Sequence, residues 1–148
     1  MSFIDSSRVE DALARLARLQ PEQRPRWGRL DALAMVEHLS NSLEIAMGLR
    51  AAPPKAPAWL FPLLGPLSGL PLPTPRGLPS TPEFLAPRGR DFPAAVAELG
   101  QLLKRFHREV LGNPQARHLH PVFGPLTRLQ WAALQDRHLC HHFRQFGL

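Results

Sequence analysis

The distribution of proline constrains the fold of this chain more than any other feature of its sequence. Twelve of its seventeen prolines fall within residues 50–93. Proline has no backbone N–H and cannot continue a helix interior or a central strand. The segment also contains tryptophan and many leucines, which gain by packing on a folded domain and argue against a free linker. We therefore predict a long, ordered but irregular connection, with a short helical turn around residues 59–64.

Four helices are predicted outside this segment, from apolar residues that recur at intervals of three and four. Ser7 and Glu10 have the spacing of a capping box at the start of the first helix. Asp31 and Thr127 are suitable N-caps for the second and the last helix. No segment alternates convincingly as a strand. The predicted helices cover residues 7–19, 31–49, 93–112 and, after Thr127, nearly all of the remaining chain.

These elements predict an all-α fold, a four-helix bundle that forms one domain over residues 1–148. The long connection at residues 50–93 has a topological explanation if it crosses from one end of the bundle to the other, which makes the second and third helices parallel. The second helix has two contrasting faces at helical spacing. Its predicted solvent-exposed face carries Glu37, Ser40, Asn41 and Glu44, and its predicted buried face carries Met35, Leu39, Ser42, Ala46 and Leu49.

Composition indicates a globular protein of a reducing compartment. Hydrophobic residues make up 44% and charged residues 20% of the chain, which is typical of folded domains. The single cysteine, Cys140, excludes an intramolecular disulfide. The N-terminus has no basic start and no apolar run, so no signal peptide is predicted. The most apolar stretch, residues 58–72, is broken by proline and glycine and is too short to cross a bilayer. We expect a cytoplasmic protein.

The net charge of +6 raises the question of nucleic-acid binding. Sixteen of the eighteen basic residues are arginines, and they are spread along the whole chain. The densest group, Arg24, Arg26 and Arg29, does not alternate with aromatic residues that could stack on bases, and no predicted helix carries a continuous basic stripe. The pattern argues against a nucleic-acid partner.

The candidate chemistry lies in three of the seven histidines. His138 and His142 are four residues apart, so their imidazoles lie on one face of the last helix, one turn apart. The same arc carries Trp131 and other core-like residues, so both imidazoles point inwards, where they need partners. His38 lies at the margin of the apolar face of the second helix. Together the three would form a three-nitrogen metal site with open positions for water or substrate.

The ligand set indicates one divalent ion of the borderline class, namely zinc, nickel or iron. No carboxylate belongs to the set, which disfavours a dedicated calcium or magnesium site. His120, in the loop that enters the last helix, is predicted to support that loop or the metal ligands indirectly. The alternative is that the three histidines bind no ion and satisfy one another through water.

Two stretches of the chain resemble the DinB-like (DinB/YfiT) superfamily. Trp27-Gly28-Arg29-Leu30 followed by Met35-Val36-Glu37-His38-Leu39 resembles the start of the second helix of those domains. The stretch from His120-Pro-Val-Phe-Gly through Trp131 to His138-Leu-Cys-His-His-Phe-Arg-Gln-Phe-Gly-Leu148 resembles an uncharacterised branch whose last helix ends in His-His-x-x-Gln-Phe-Gly. The resemblance spans nearly the whole chain but is weak across the proline-rich middle.

The resemblance implies a four-helix bundle with a long connection between helices two and three, and a divalent metal ion held by His38, His138 and His142. Characterised relatives include enzymes that add low-molecular-weight thiols to electrophiles or isomerise substrates with the help of a thiol. Homodimers are common among them, so a homodimer is one expectation. The substrate is not transferred by the resemblance.

Three functions follow as hypotheses. In a metal-dependent thiol transferase, the ion would lower the pKa of a bound thiol for attack on an electrophile, with Trp131 and Gln135 lining the pocket. In a metal-dependent hydrolase, bound water would be the nucleophile, and Glu37 and Glu44 are the nearest candidate bases, although neither is well placed. The third hypothesis is a non-enzymatic metal-binding or stress-response module.

Overall fold

The structure is a computed structural model that describes residues 5–148. Within these residues, six α-helices and one two-stranded antiparallel sheet form the regular structure, with two 3-10 turns in the proline-rich segment. The helices are α1 (Ser6–Leu16), α2 (Ala32–Ala46), α3 (Phe61–Leu64), α4 (Pro82–Leu85), α5 (Phe92–Gly112) and α6 (Arg128–Phe146), the strands are β1 (Arg117–His120) and β2 (Gly124–Thr127), and the 3-10 turns are Ala58–Leu60 and Gly65–Gly69.

Local capping signals explain where the two helices that carry the candidate site begin. The Asp31 side chain accepts from the Ala34 N–H at 2.7 Å at the start of α2. Thr127 and Gln130 form a capping box at the start of α6. Both predicted N-caps are therefore confirmed. The first helix differs, because Asp5 and not Ser7 caps it.

The core lies between the four longer helices, α1, α2, α5 and α6. Their apolar stripes meet in one cluster of buried side chains, which is the main source of stability in a domain of this size. Fully buried members include Met35, Leu39, Leu43, Leu99, Leu103, Phe106, Trp131, Leu139 and Phe143.

The prediction of an all-α four-helix bundle is wrong, because β1 and β2 pair as an antiparallel hairpin in the register Arg117↔Thr127 to His120↔Gly124 and two further short helices, α3 and α4, lie in the proline-rich segment. Each strand has only four residues, which is too few for an alternating pattern to stand out. Pro125 is compatible with β2, since a two-stranded sheet consists of edge strands.

Gly124 connects the hairpin to the proline-rich segment. Its φ of +77° lies in the left-handed region, and a Cβ at this position would collide with the ring of Phe61 in α3. Glycine is therefore required both by the backbone conformation and by the close approach of α3.

The predicted solvent-exposed face of α2 is also wrong in large part. Glu37, Ser40 and Asn41 are 8%, 1% and 0% exposed. The proline-rich segment covers this face, since the Asn41 amide donates to the carbonyl oxygens of Phe84 and Ala86. Buried polar side chains need such partners, and these partners lie more than forty residues away in the sequence.

On the predicted buried face of α2, Leu49 is 48% exposed. The helix ends at Ala46, so residue 49 no longer follows the helical periodicity on which the prediction depended.

Arg88 fastens the end of the proline-rich segment to the helices. Its guanidinium donates to both carboxylate oxygens of Glu44 on α2, at 2.7 and 2.8 Å, and to Glu98 on α5, at 2.7 Å. Its backbone N–H donates to Glu37. The segment is thus held in place over α2 by charge-assisted hydrogen bonds as well as by apolar contacts. Among the helices of residues 5–148, none combines the length and apolarity needed to cross a membrane.

Candidate metal centre

Three histidine side chains from two helices converge at one point. His38 on α2 and His138 on α6 place their Nε2 atoms 2.8 Å apart. His142, one turn further along α6, places its Nε2 3.1 Å from that of His138. One ligand atom from each of the three lies within 4.8 Å of the others. His38 and His142 are only 5% and 6% exposed. The three histidines therefore lie close enough together to hold one metal ion.

Carbonyl oxygens behind two of the rings fix which ring nitrogen carries the proton. His38 Nδ1 lies 3.1 Å from the Phe84 carbonyl oxygen, and His142 Nδ1 lies 2.7 Å from Oε1 of Gln145. An oxygen of this kind can only accept, so each Nδ1 donates and each Nε2 keeps its lone pair. The amide of Gln145 is itself oriented, because its Nε2 donates to the Trp27 carbonyl at 2.8 Å.

Because these lone pairs converge, not every contact between the ring nitrogens can be a hydrogen bond. His138 Nε2 faces both His38 Nε2 and His142 Nε2, and a neutral imidazole has one N–H. At most one of the two contacts can therefore be a hydrogen bond. The other brings two acceptor atoms together, which is unfavourable in a buried site unless a cation lies between them.

Burial favours the neutral form of all three imidazoles. It lowers the pKa of His38, despite the hydrogen bond to the Phe84 carbonyl, which acts in the opposite direction. It lowers the pKa of His138 well below its ordinary value, and the charges of the neighbouring histidines act in the same direction. The pKa of His142 is lowered to about 3, again mainly by burial. Neutral imidazole is the form that binds a metal ion.

The donor set fits a divalent ion of the zinc class. Zinc–nitrogen bonds of about 2.0 Å in a tetrahedral site place the ligand nitrogens roughly 3.3 Å apart, close to the separations of 2.8 and 3.1 Å between these nitrogens. Three neutral nitrogen ligands leave a further coordination position, as catalytic sites do. The backing of metal-bound imidazoles by carbonyl oxygens is also a recurrent arrangement.

The three histidines form part of the wall of a cleft of about 970 Å³. Trp131 and Gln135, the predicted pocket residues, line the same cleft, and so does His120, which was predicted to support the loop or the ligands indirectly. Gln135 is 1% exposed and exchanges hydrogen bonds with Ser42. The rest of the wall is largely apolar and aromatic, as is usual for small-molecule sites.

The proline-rich segment supplies one side of this cleft. Residues 74–81 contribute several lining positions. The Arg76 guanidinium lies 4.0 Å from the centroid of the Trp27 ring, a cation–π contact that joins this segment to the loop before α2. Trp27 also contacts His141 edge-to-face, with ring centroids 5.8 Å apart.

Two residues of the site were missed by sequence reasoning. Gln145 lies three residues after His142, a spacing that places two side chains on one helical face, so the local signal was present within the His-His-x-x-Gln motif. Phe84 acts through its backbone carbonyl. No side-chain pattern can reveal that contact, because it depends on how the proline-rich segment folds onto α2.

Comparison with known proteins gives one result. No curated protein and no solved structure matches the chain. The model of one protein family, described as "Protein of unknown function (DUF1569)", matches residues 3–147. The chain is therefore a member of the DUF1569 family.

Proposed function

We propose that this protein is a divalent-metal-dependent enzyme that transfers a low-molecular-weight thiol to an electrophilic substrate. The ion is zinc, nickel or iron, and His38, His138 and His142 are its ligands. The observation that carries the proposal is the convergence of three neutral imidazoles, two of them with Nε2 lone pairs fixed by carbonyl oxygens, in the wall of a large cleft.

The residues around the ligands have separate tasks in this proposal. The Phe84 carbonyl and the Gln145 amide hold the rings of His38 and His142 in the tautomer that presents Nε2. Trp131 and the other aromatic walls exclude water and accept an apolar substrate. When bound, a divalent ion lowers the pKa of a thiol at its open position, which supplies a nucleophile at neutral pH.

The resemblance to DinB-like proteins supports the same proposal. The two stretches that carry it include Trp27 and His38 in one and His138, His142 and Gln145 in the other. Residues from both stretches meet at the cleft, where Gln145 links His142 to the Trp27 carbonyl. The residues shared with such proteins are thus the residues from which the candidate site is built.

Metal-dependent hydrolysis has less support, because the candidate bases are engaged elsewhere. Glu37 accepts from the Arg88 backbone N–H. Glu44 is paired with the Arg88 and Arg50 guanidiniums, which lower its pKa. Neither carboxylate lines the cleft. A general base must come within hydrogen-bond reach of the water that it activates, and neither does.

The first test is the metal content of the purified protein, measured by elemental analysis for the wild type and for His142→Ala. We expect close to one equivalent of zinc, nickel or iron in the wild type and its loss in the variant, since two ligands hold such an ion much more weakly than three. His107→Ala, on α5 and outside the cleft, is the matched control and should retain the ion.

The metal-loaded protein is then assayed for addition of small thiols to electrophiles. Turnover that disappears in His142→Ala supports the enzyme. A wild type that binds no ion, even after metal is added back, contradicts the proposal at its first step. If an ion is bound but no thiol alters its spectrum and no thiol addition occurs, the thiol transferase is excluded. The non-enzymatic metal-binding module is then the remaining hypothesis.

A further inference from the structure

His120 ends strand β1 and its ring is held in one tautomer. Its Nδ1 lies 3.1 Å from the backbone N of Val122 and 3.2 Å from that of Phe123, and both N–H groups donate to it. A ring nitrogen that accepts cannot carry a proton, so the proton of the neutral imidazole is on Nε2. Because the hairpin turn uses Nδ1 as an acceptor, this histidine presents an N–H donor at its other ring nitrogen, Nε2.

The ring is also fixed in position by aromatic neighbours. Its centroid lies 4.7 Å from that of Phe123, 5.1 Å from that of Trp131 and 6.1 Å from that of Phe84. His120 lines the same cleft as the three candidate ligands. No group within residues 5–148 accepts a hydrogen bond from its Nε2, and this atom is not among the polar atoms that are buried without a partner. The donor is therefore available to a molecule in the cleft.

Three other polar side chains of the cleft wall already have partners. The indole N–H of Trp131 donates to the His118 carbonyl at 3.0 Å. The Gln135 amide donates to Ser42, and the Gln145 amide donates to the Trp27 carbonyl. Against a largely apolar and aromatic wall, a fixed N–H donor of this kind suits a ligand with an apolar body and an acceptor oxygen.

We propose that His120 is a further catalytic residue of the thiol transfer proposed above, and that its Nε2–H donates a hydrogen bond to the carbonyl oxygen of the electrophile. The substrate class is then an α,β-unsaturated carbonyl compound with an apolar or aromatic body. This inference rests on the proposed function for its chemistry, whereas the binding of the carbonyl oxygen to His120 is a separate property.

The reaction is a conjugate addition whose atoms and electrons balance without an oxidant or a leaving group. The thiol loses its proton, and the sulfur electron pair forms a C–S bond at the β-carbon. The electron pair of the C=C bond shifts to give an enolate, whose oxygen carries the developing charge. The His120 Nε2–H stabilises that oxygen, and a proton from solvent, equal to the one released by the thiol, is taken up at the α-carbon. Neutral histidine can serve as such a donor.

The binding step is tested on metal-free protein, so that it does not depend on the ion. Nitrogen-15 NMR of the imidazoles reports the tautomer of His120, and titration with trans-cinnamamide, an unreactive compound of the proposed class, reports contact with Nε2–H. We expect a protonated Nε2, an unprotonated Nδ1 and a shift of the Nε2–H resonance that saturates with cinnamamide. A proton on Nδ1, or a resonance unmoved up to the solubility limit, overturns the inference.

Two substitutions distinguish the role of Nε2–H, the donor in the cleft, from the role of Nδ1, the acceptor that supports the hairpin turn. His120→Asn retains an acceptor oxygen near the position of Nδ1 but places no donor at the position of Nε2, and we expect it to weaken cinnamamide binding about tenfold, the effect of one lost hydrogen bond. His120→Gln retains an N–H near the position of Nε2 and should bind more tightly than His120→Asn. His118→Asn, on the same strand but outside the cleft, should leave the dissociation constant unchanged.

Thermal unfolding of each variant establishes that it is folded. Equal binding of cinnamamide by the wild type and a folded His120→Asn variant overturns the inference.

Turnover is tested on zinc-loaded protein with 2-mercaptoethanol and cinnamaldehyde. We expect His120→Asn to lower kcat about a hundredfold, as for the loss of one oxyanion donor, with zinc content unchanged. If the wild type turns over and His120→Asn has the same kcat, the catalytic role of His120 is overturned. If no protein turns over while cinnamamide binds through Nε2–H, the thiol transfer has failed and the carbonyl-binding role of His120 stands.

Discussion

Gln145 connects a candidate metal ligand to the loop that precedes α2. Its Oε1 accepts from His142 Nδ1 at 2.7 Å, and its Nε2 donates to the Trp27 carbonyl at 2.8 Å. Gln145→Leu keeps a similar volume but removes both hydrogen bonds, so the ring of His142 is no longer held in one tautomer. We expect metal affinity to fall 10- to 100-fold, measured by calorimetric titration of the metal-free protein.

The control for this variant is Gln101→Leu, which makes the same change at an exposed position of α5. Its affinity should equal that of the wild type. If Gln145→Leu bound the metal ion as tightly as the wild type, the hydrogen bond from His142 to Gln145 would not be what positions the His142 ring.

His120 also gives the stability of the protein a pH dependence. Burial lowers its pKa to about 4 in the folded state, against about 6.5 in an unfolded chain. Between these values the unfolded state binds the proton and the folded state does not, so stability falls as the pH is lowered from about 6.5 to about 4. One pKa unit corresponds to about 1.4 kcal/mol, so this histidine alone accounts for a loss of the order of 3 kcal/mol.

Urea unfolding of the metal-free protein at pH 7 and pH 4 measures this loss, with His120→Asn as the comparison. The buried histidines at positions 38, 138 and 142 add to the effect in both proteins, because burial lowers the pKa of each. The variant should therefore lose less stability than the wild type over the same range. An equal loss in both would show that folding does not lower the pKa of His120.

At the scale of the elements, Arg88 contributes ion pairs that hold the proline-rich segment on α2. Its side chain is 8% exposed and is paired with Glu44 and Glu98, which raise the pKa of the guanidinium. Removal of one partner from a largely buried ion pair leaves the others without compensation. We expect Arg88→Met to lower the free energy of unfolding by about 3 kcal/mol, measured by urea denaturation.

Arg90→Met is the matched control, because Arg90 pairs with the same Glu98 from a side chain that is 56% exposed. Exposed pairs contribute at most about 1 kcal/mol. If the two variants lost equal stability, the buried network around Arg88 would have no special role, and the segment would be held by its apolar contacts alone.

The elements show which parts of a fold a sequence can reveal. Asp31 and Thr127 were identified as N-caps because a cap forms hydrogen bonds with amides two or three residues away. The exposure of the α2 face was predicted wrongly because it depends on residues 84–88, which no periodicity places there. The hairpin of β1 and β2 was missed because two strands of four residues contain too little pattern, and its formation depends on pairing across the turn at residues 121–123.

At the scale of the whole molecule, the candidate site joins distant parts of the chain. Local helical spacing related His138 to His142, but His38 is a hundred residues away, and it joined the set through its position at the margin of the apolar face of α2 and through the resemblance to DinB-like proteins. The structure brings all three together. What the sequence could not supply is the role of each ring nitrogen, because the carbonyl oxygens of Phe84 and Gln145 decide it.

This arrangement predicts that a bound ion stabilises the entire fold. Its proposed ligands come from α2 and α6, which pack against each other in one core, so the site exists only when those helices are packed. A ligand that binds the folded state alone stabilises it by about 2.7 kcal/mol at a concentration of 100 times its Kd, which corresponds to a rise in Tm of roughly 5–10 °C for a domain of this size. Calorimetric scans of metal-free protein with and without added zinc measure the rise.

His38→Ala distinguishes this linkage from binding to α6 alone. The variant keeps His138 and His142, which an isolated helix could also present to an ion from adjacent turns, but it removes the contribution of α2. If the ion links the two helices, zinc raises the Tm of the wild type and has little effect on His38→Ala. An equal rise in both proteins would place the ion on α6 alone, because the stabilisation would then not depend on the packing that brings the two helices together.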